Sequence, residues 1–147
     1  YNLHVMLRFE LERGLIDGSV SINELPERWN AAMDKYLGVV PETDANGVLQ
    51  DVHWSQGAIG YFPTYTLGTL TAAQVMETIK DDLPTLSDQI AEGDFCPLLD
   101  WLRTHIHEHG RILTAPDLLN RTTGAALSAD PWLRYVRDKF GALYDLS

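Results

Sequence analysis

Cysteine is nearly missing: Cys96 is the single one among 147 residues. One thiol excludes an internal disulfide and any cysteine-rich zinc finger. It fits a reducing, cytoplasmic compartment, and predicts for Cys96 a small apolar role in the core. Long apolar runs are absent as well, and no stretch approaches the ~20 residues that span a bilayer. Basic residues are scarce: 11 Lys and Arg stand against 21 Asp and Glu, a formal net charge of −10. The imbalance sits in residues 1–100, with 16 acids and 5 bases; residues 101–147 carry 5 and 6. Such a surface disfavours nucleic acid, whose phosphates need facing cations. It disfavours an anionic membrane surface for the same reason.

What is present suffices for a core. Hydrophobic residues make up 45% of the chain and include four Trp, six Tyr and four Phe. That apolar area can offset the entropy of ordering the chain. The length predicts a single domain able to bury about 70% of its unfolded surface.

Periodicity predicts an all-α fold. Leu3, Leu7 and Leu11 repeat at i, i+4, with His4, Arg8 and Glu12 as a parallel stripe. No N-cap precedes this run and no Met opens it, so it reads as a helix entered partway, in a fragment or processed chain. Gly14 or Gly18 ends it. Residues 25–37 place Leu25, Trp29, Ala32, Met33 and Tyr36 on one face, with Pro26 in the first turn and Gly38 at the end. A loop over 38–50 follows.

Residues 47–68 are rich in glycine and aromatics, which predicts close backbone approach or a shaped pocket; a strand pair is the alternative there. Thr71 to Gln74 matches a capping box opening a helix through Val75 and Ile79, broken near Pro84. Asp94 should cap a helix closing at Gly110, and Thr114 with Pro116 should start another to about Arg121. Asp130 with Pro131 should start the last, with Leu133, Val136, Phe140 and Leu143 inward.

Three groups could carry chemistry. His105-Ile106-His107-Glu108-His109 matches an H-x-x-E-H pattern, in which His105 and His109 could share a metal from one helix face. It lacks a distinguished downstream acid, and the plainer reading is a histidine cluster near a helix C-terminus. In the second group His53, Tyr61 and Tyr65 could donate to a developing oxyanion; the plainer reading is an aromatic core segment with satisfied polar tips. In the third, Arg8 could grip a carboxylate in bidentate fashion, or simply pair with Glu12 on the surface.

The run Gly47-Val48-Leu49-Gln50-Asp51-Val52-His53-Trp54 resembles the G-x-x-Q-D-x-H-W signature of the carboxypeptidase Taq family of zinc metallocarboxypeptidases. Tyr1-Asn2-Leu3-His4 with Arg8 and Glu12 is similar to that family's Y-x-L-H-x-x-x-R-x-x-x-E helix. Gly60 to Gly68, Trp101-Leu102, Ile106-His107, Thr123-Gly124 and the Tyr135 to Tyr144 helix extend the likeness across the chain.

The resemblance implies the C-terminal portion of a longer, all-helical enzyme built around a deep cleft. Its zinc-binding H-E-x-x-H helix and third ligand, a Glu, would lie upstream of Tyr1. The fragment would hold no metal and be inactive alone. In the whole enzyme zinc polarises the scissile carbonyl and the Glu of H-E-x-x-H is the general base. The resemblance assigns Arg8 to the substrate's C-terminal carboxylate, and His53 with Tyr65, or Tyr61 instead, to the oxyanion. Gln50 and Asp51 would line the substrate side and orient His53. The implied partners are peptides with a free C-terminal carboxylate, the upstream half of the enzyme, and a second copy in a homodimer. A free-standing acidic helical interaction module is the competing class, and it would have no reason to carry the 47–54 signature.

Overall fold

The computed structural model describes residues 1–146, which form helices, short 3-10 turns and connecting segments, with no strand among them. They fall into two compact units, Tyr1–Leu67 and the residues from Gly68 onward.

In the first unit, helix α1 spans Asn2–Asp17 and ends at Gly18, whose φ of 80° is the left-handed closure that glycine adopts freely. Gly14 stays inside the helix, against the Val20 side chain. Leu7 and Leu11 are buried, but Leu3 is exposed, so the leucine stripe is a core face only after its first turn. Helix α2 spans Leu25–Leu37 and follows a 3-10 turn whose Ser21 and Glu24 form a capping box. Its Trp29 is 2% exposed and packs with Leu7, Leu11 and Val48, while Leu25, Ala32, Met33, Tyr36 and Trp54 close around them. The α2 face read from spacing is therefore the packed face.

Two 3-10 turns, Asp44–Asn46 and Val48–Gln50, lead into the short helix α3, Val52–Ser55. The glycine-rich stretch is thus helical and looped, and the strand alternative fails. Gly57 and Gly60 serve its turns: Gly60 holds φ at 80° between α3 and the next helix.

Helix α4 spans Pro63–Asp82, and its first turns, through Leu67, belong to the first unit. Thr71 to Gln74 therefore lies mid-helix and caps nothing. Pro63, with φ preset and no N–H to satisfy, starts the helix instead. In the second unit Pro84 separates α4 from α5, Leu86–Ala91. Helix α6, Cys96–His105, has Asp94 accepting from the Cys96 N–H at 3.1 Å. It stops at His105, five residues before Gly110, and a 3-10 turn over His107–His109 follows. Cys96 is exposed, not a core residue.

Helix α7, Ala115–Thr123, is capped by Thr114, and α8 spans Asp130–Tyr144. Val75, Ile79, Leu86, Trp101 and Leu119 form this unit's core. On α8, Val136 and Phe140 are half-buried, but Leu133 and Leu143 are exposed, so only part of the inward stripe read from spacing is covered. No helix among the described residues is long and apolar enough to cross a membrane.

Candidate functional site

Asp51 has an extended backbone and caps α3: its Oδ1 accepts from the Trp54 N–H at 2.8 Å. That cap aims Oδ2 toward α1, where it lies 3.3 Å from Arg8 Nε and 3.5 Å from His53 Nδ1. Neither contact has hydrogen-bond alignment, so Arg8 Nε, Asp51 Oδ2 and His53 Nδ1 are buried without a hydrogen-bond partner. The Asp51 side chain is 1% exposed and that of Arg8 15%. The Arg8 guanidinium carbon also lies 5.4 Å from the Trp29 ring centre and 5.6 Å from that of Phe62.

The far side of the His53 ring meets Tyr65: His53 Nε2 is 2.9 Å from the Tyr65 hydroxyl. The ring tautomer sets the direction of this bond: with the proton on Nδ1, Nε2 accepts from Tyr65, and with it on Nε2, His53 donates to the Tyr65 oxygen. Tyr61 stacks on His53 at 6.0 Å and meets Tyr65 edge-on at 5.3 Å. It precedes Pro63, so the two tyrosines converge without sharing a helix. Burial raises the Tyr65 pKa, and the neighbouring Tyr61 and Tyr1 add to the effect, which keeps its hydroxyl protonated and able to donate. His4, T-shaped against Trp29, has its pKa lowered by burial and then by the Arg8 charge.

Of the residues singled out from the sequence, Arg8, Asp51, His53, Tyr61 and Tyr65 thus form one cluster. Gln50 stands apart: it is exposed, and its amide donates to the Ala45 carbonyl. Glu12 is not the surface partner of Arg8. It is 4% exposed and accepts from Trp54 Nε1 at 3.0 Å and from the Gly60 N–H at 2.7 Å. Charge made it look like a solvent-facing residue; its place one turn after Arg8, beside the buried Leu11, was the available signal.

The histidine pair at 105 and 109 does not share a helix face. α6 ends at His105, which stacks on Trp101 at 4.2 Å and places Nδ1 2.9 Å from the Trp101 carbonyl.

The model of the carboxypeptidase Taq (M32) metallopeptidases matches residues 1–140. The chain belongs to that family. Among its M32 relatives, thermostable carboxypeptidase 1 of Thermus thermophilus is 46% identical over 144 residues, covering 98% of this chain and 28% of its own length. Thermostable carboxypeptidase 1 of Pyrococcus furiosus is 42% identical over 140 residues, 95% of this chain and 28% of the relative. The crystal structure of an M32 carboxypeptidase from Deinococcus radiodurans superposes with a TM-score of 0.95 at 43% identity, over 99% of this chain and 30% of that one. This chain therefore spans somewhat over a quarter of the length of the M32 proteins it matches.

Its described residues do not fit the metal that the family name implies: no three His, Cys, Asp or Glu side chains among them converge to hold an ion.

Proposed function

We propose that this chain is the portion of a zinc-dependent M32 carboxypeptidase that carries its substrate-carboxylate and oxyanion groups, with the zinc held by residues outside it. Without that metal the chain by itself has no peptidase activity. The observation that carries the reading is the His53 Nε2 to Tyr65 hydroxyl contact of 2.9 Å, in the same cluster as a largely enclosed guanidinium.

Each residue has a part that its surroundings support. Asp51 and the flanking rings hold Arg8 at its Nε side, leaving the terminal nitrogens for a carboxylate to grip end-on. A peptide with an amidated end offers no such anion, so cleavage is confined to the C-terminal residue. Tyr65 donates its one proton to an oxyanion formed at the scissile carbonyl, with His53 donating to the phenol oxygen from Nε2. His53 orients that hydroxyl and contributes its own ring, with Tyr61 as the neighbouring hydroxyl.

The test is a chimera in which this chain replaces the matching residues of the Thermus thermophilus relative. Arg8→Ala should raise KM for free-acid peptides by about tenfold or more, in line with a lost charge-assisted bidentate contact. His53→Ala should act mainly on kcat. An unchanged KM for the first and an unchanged kcat for the second would remove both assignments. Zinc-dependent turnover by the 147-residue chain alone would overturn the placement of the metal.

A further inference from the structure

Glu12 lies buried on the α1 face that meets the 51–60 segment. Its carboxylate accepts from two donors, and each donor is the chain neighbour of a residue in the cluster. Trp54 follows His53 and Gly60 precedes Tyr61. One turn earlier on α1, Arg8 faces Asp51, the cap of α3. The same face of α1 thus holds the 51–60 segment at two points, by a cation at one end and by an anion at the other.

We infer that Glu12 is a positioning residue whose buried carboxylate sets where His53 and Tyr61 stand relative to Arg8. The inference rests on the roles proposed above for Arg8, His53 and the tyrosines. The chemistry of the position demands a carboxylate. Both neighbours present an N–H, so the residue between them must accept twice and donate to neither. Glutamine has one acceptor oxygen and an NH2 group, and would turn a donor against the indole or the Gly60 amide. Aspartate, one methylene shorter, would not span both.

The first arm of the test uses the 147-residue chain and NMR. The Trp54 indole proton and the Gly60 amide should both exchange slowly. Glu12→Gln should speed at least one of them by about tenfold, the scale of leaving one buried donor unmatched, and should move the His53 ring-nitrogen signals. With Trp54→Phe added, Gly60 should be as protected as in the parent, because the glutamine oxygen then has a single donor to serve. Unchanged exchange in Glu12→Gln, or faster exchange with His53 signals that stay in place, would overturn the inference. If Glu12→Gln does not fold, Trp54→Phe alone carries the test: Gly60 should stay protected while the His53 signals shift, and fixed signals would refute it.

The second arm uses the chimera. Glu12→Gln should lower kcat about tenfold with KM within about twofold, and the double variant should recover part of the loss. An equal change in both constants, or no recovery, would mean that Glu12 only holds the fold together. Failure of the proposed function would instead show as unchanged kinetics in the Arg8→Ala and His53→Ala variants, with the NMR result intact.

Discussion

Replacing Asp51 with alanine removes an N-cap and an ion contact in one step, and the structure allows the two to be weighed separately. The cap, a 2.8 Å bond to the Trp54 N–H, is worth about 1 kcal/mol. The Arg8 contact is larger. Two unit charges 3.3 Å apart attract by roughly 5 kcal/mol at an effective dielectric near 20. Burial costs both ions part of that, and the loss of one partner from a buried pair typically costs about 3–5 kcal/mol.

Arg8 keeps some solvent access, so about 3 kcal/mol is the appropriate end of that range, and Asp51→Ala should cost about 4 kcal/mol in all. Asp51→Asn keeps a capping oxygen and should cost about 1 kcal/mol less. Arg8→Met strands the carboxylate and should also cost about 3 kcal/mol. The double variant Arg8→Met with Asp51→Asn leaves neither charge of the pair stranded, so it should be less damaging than the two single losses added together, by about 2 kcal/mol. Urea unfolding with an unchanged m-value reads each of these as a shift in midpoint. Strict additivity in the double variant, or an Asp51→Asn protein as stable as the parent, would refute the pairing.

Two further outcomes follow from groups with defined partners. His4 is held below its ordinary pKa of 6.5 by burial and by Arg8, so the unfolded chain binds the proton first as pH falls. Its contribution to stability is complete above pH 6.5 and shrinks as pH drops through the window beneath. His4→Gln should flatten the stability curve between about pH 5 and pH 7, and an unaltered slope would exclude His4 as its source. In the second unit, Gln74 is 6% exposed; it donates to the Ala126 carbonyl at 3.1 Å and accepts from the Ser128 N–H at 3.0 Å. Gln74→Leu strands both backbone groups and should cost about 2–4 kcal/mol by urea unfolding; a change below about 0.5 kcal/mol would show that the 125–128 segment finds other partners.

The helices were legible where their signals are local. Pro26, Gly38 and Thr114 each act within four residues of the end they mark, and the ends fall where those residues stand. The α4 start was misread because Thr71 and Gln74 have the composition of a capping box while Pro63, ten residues or so earlier, starts the helix. Gln74 is then spent on a distant loop, at a sequence separation of 54 from Ser128. Cys96 was misjudged because small apolar residues are usually enclosed, whereas the first turn of α6 faces outward.

The sequence alone determined that this chain is helical, where most of its helices turn, and through the 47–54 run the family it belongs to. Only the tertiary structure decided what the charged residues of α1 do. Arg8 and Glu12 stand four apart on one helix with opposite charges, which reads locally as a surface pair. Packing α1 against the 47–62 segment buries Glu12 and encloses most of Arg8, and each then takes the partner that the fold supplies. Asp51 is 43 residues from Arg8, and the two donors to Glu12 lie 42 and 48 residues away. Separations of that size leave no trace in a four-residue period, and the free energy of burial, not of local spacing, settled which pairs formed.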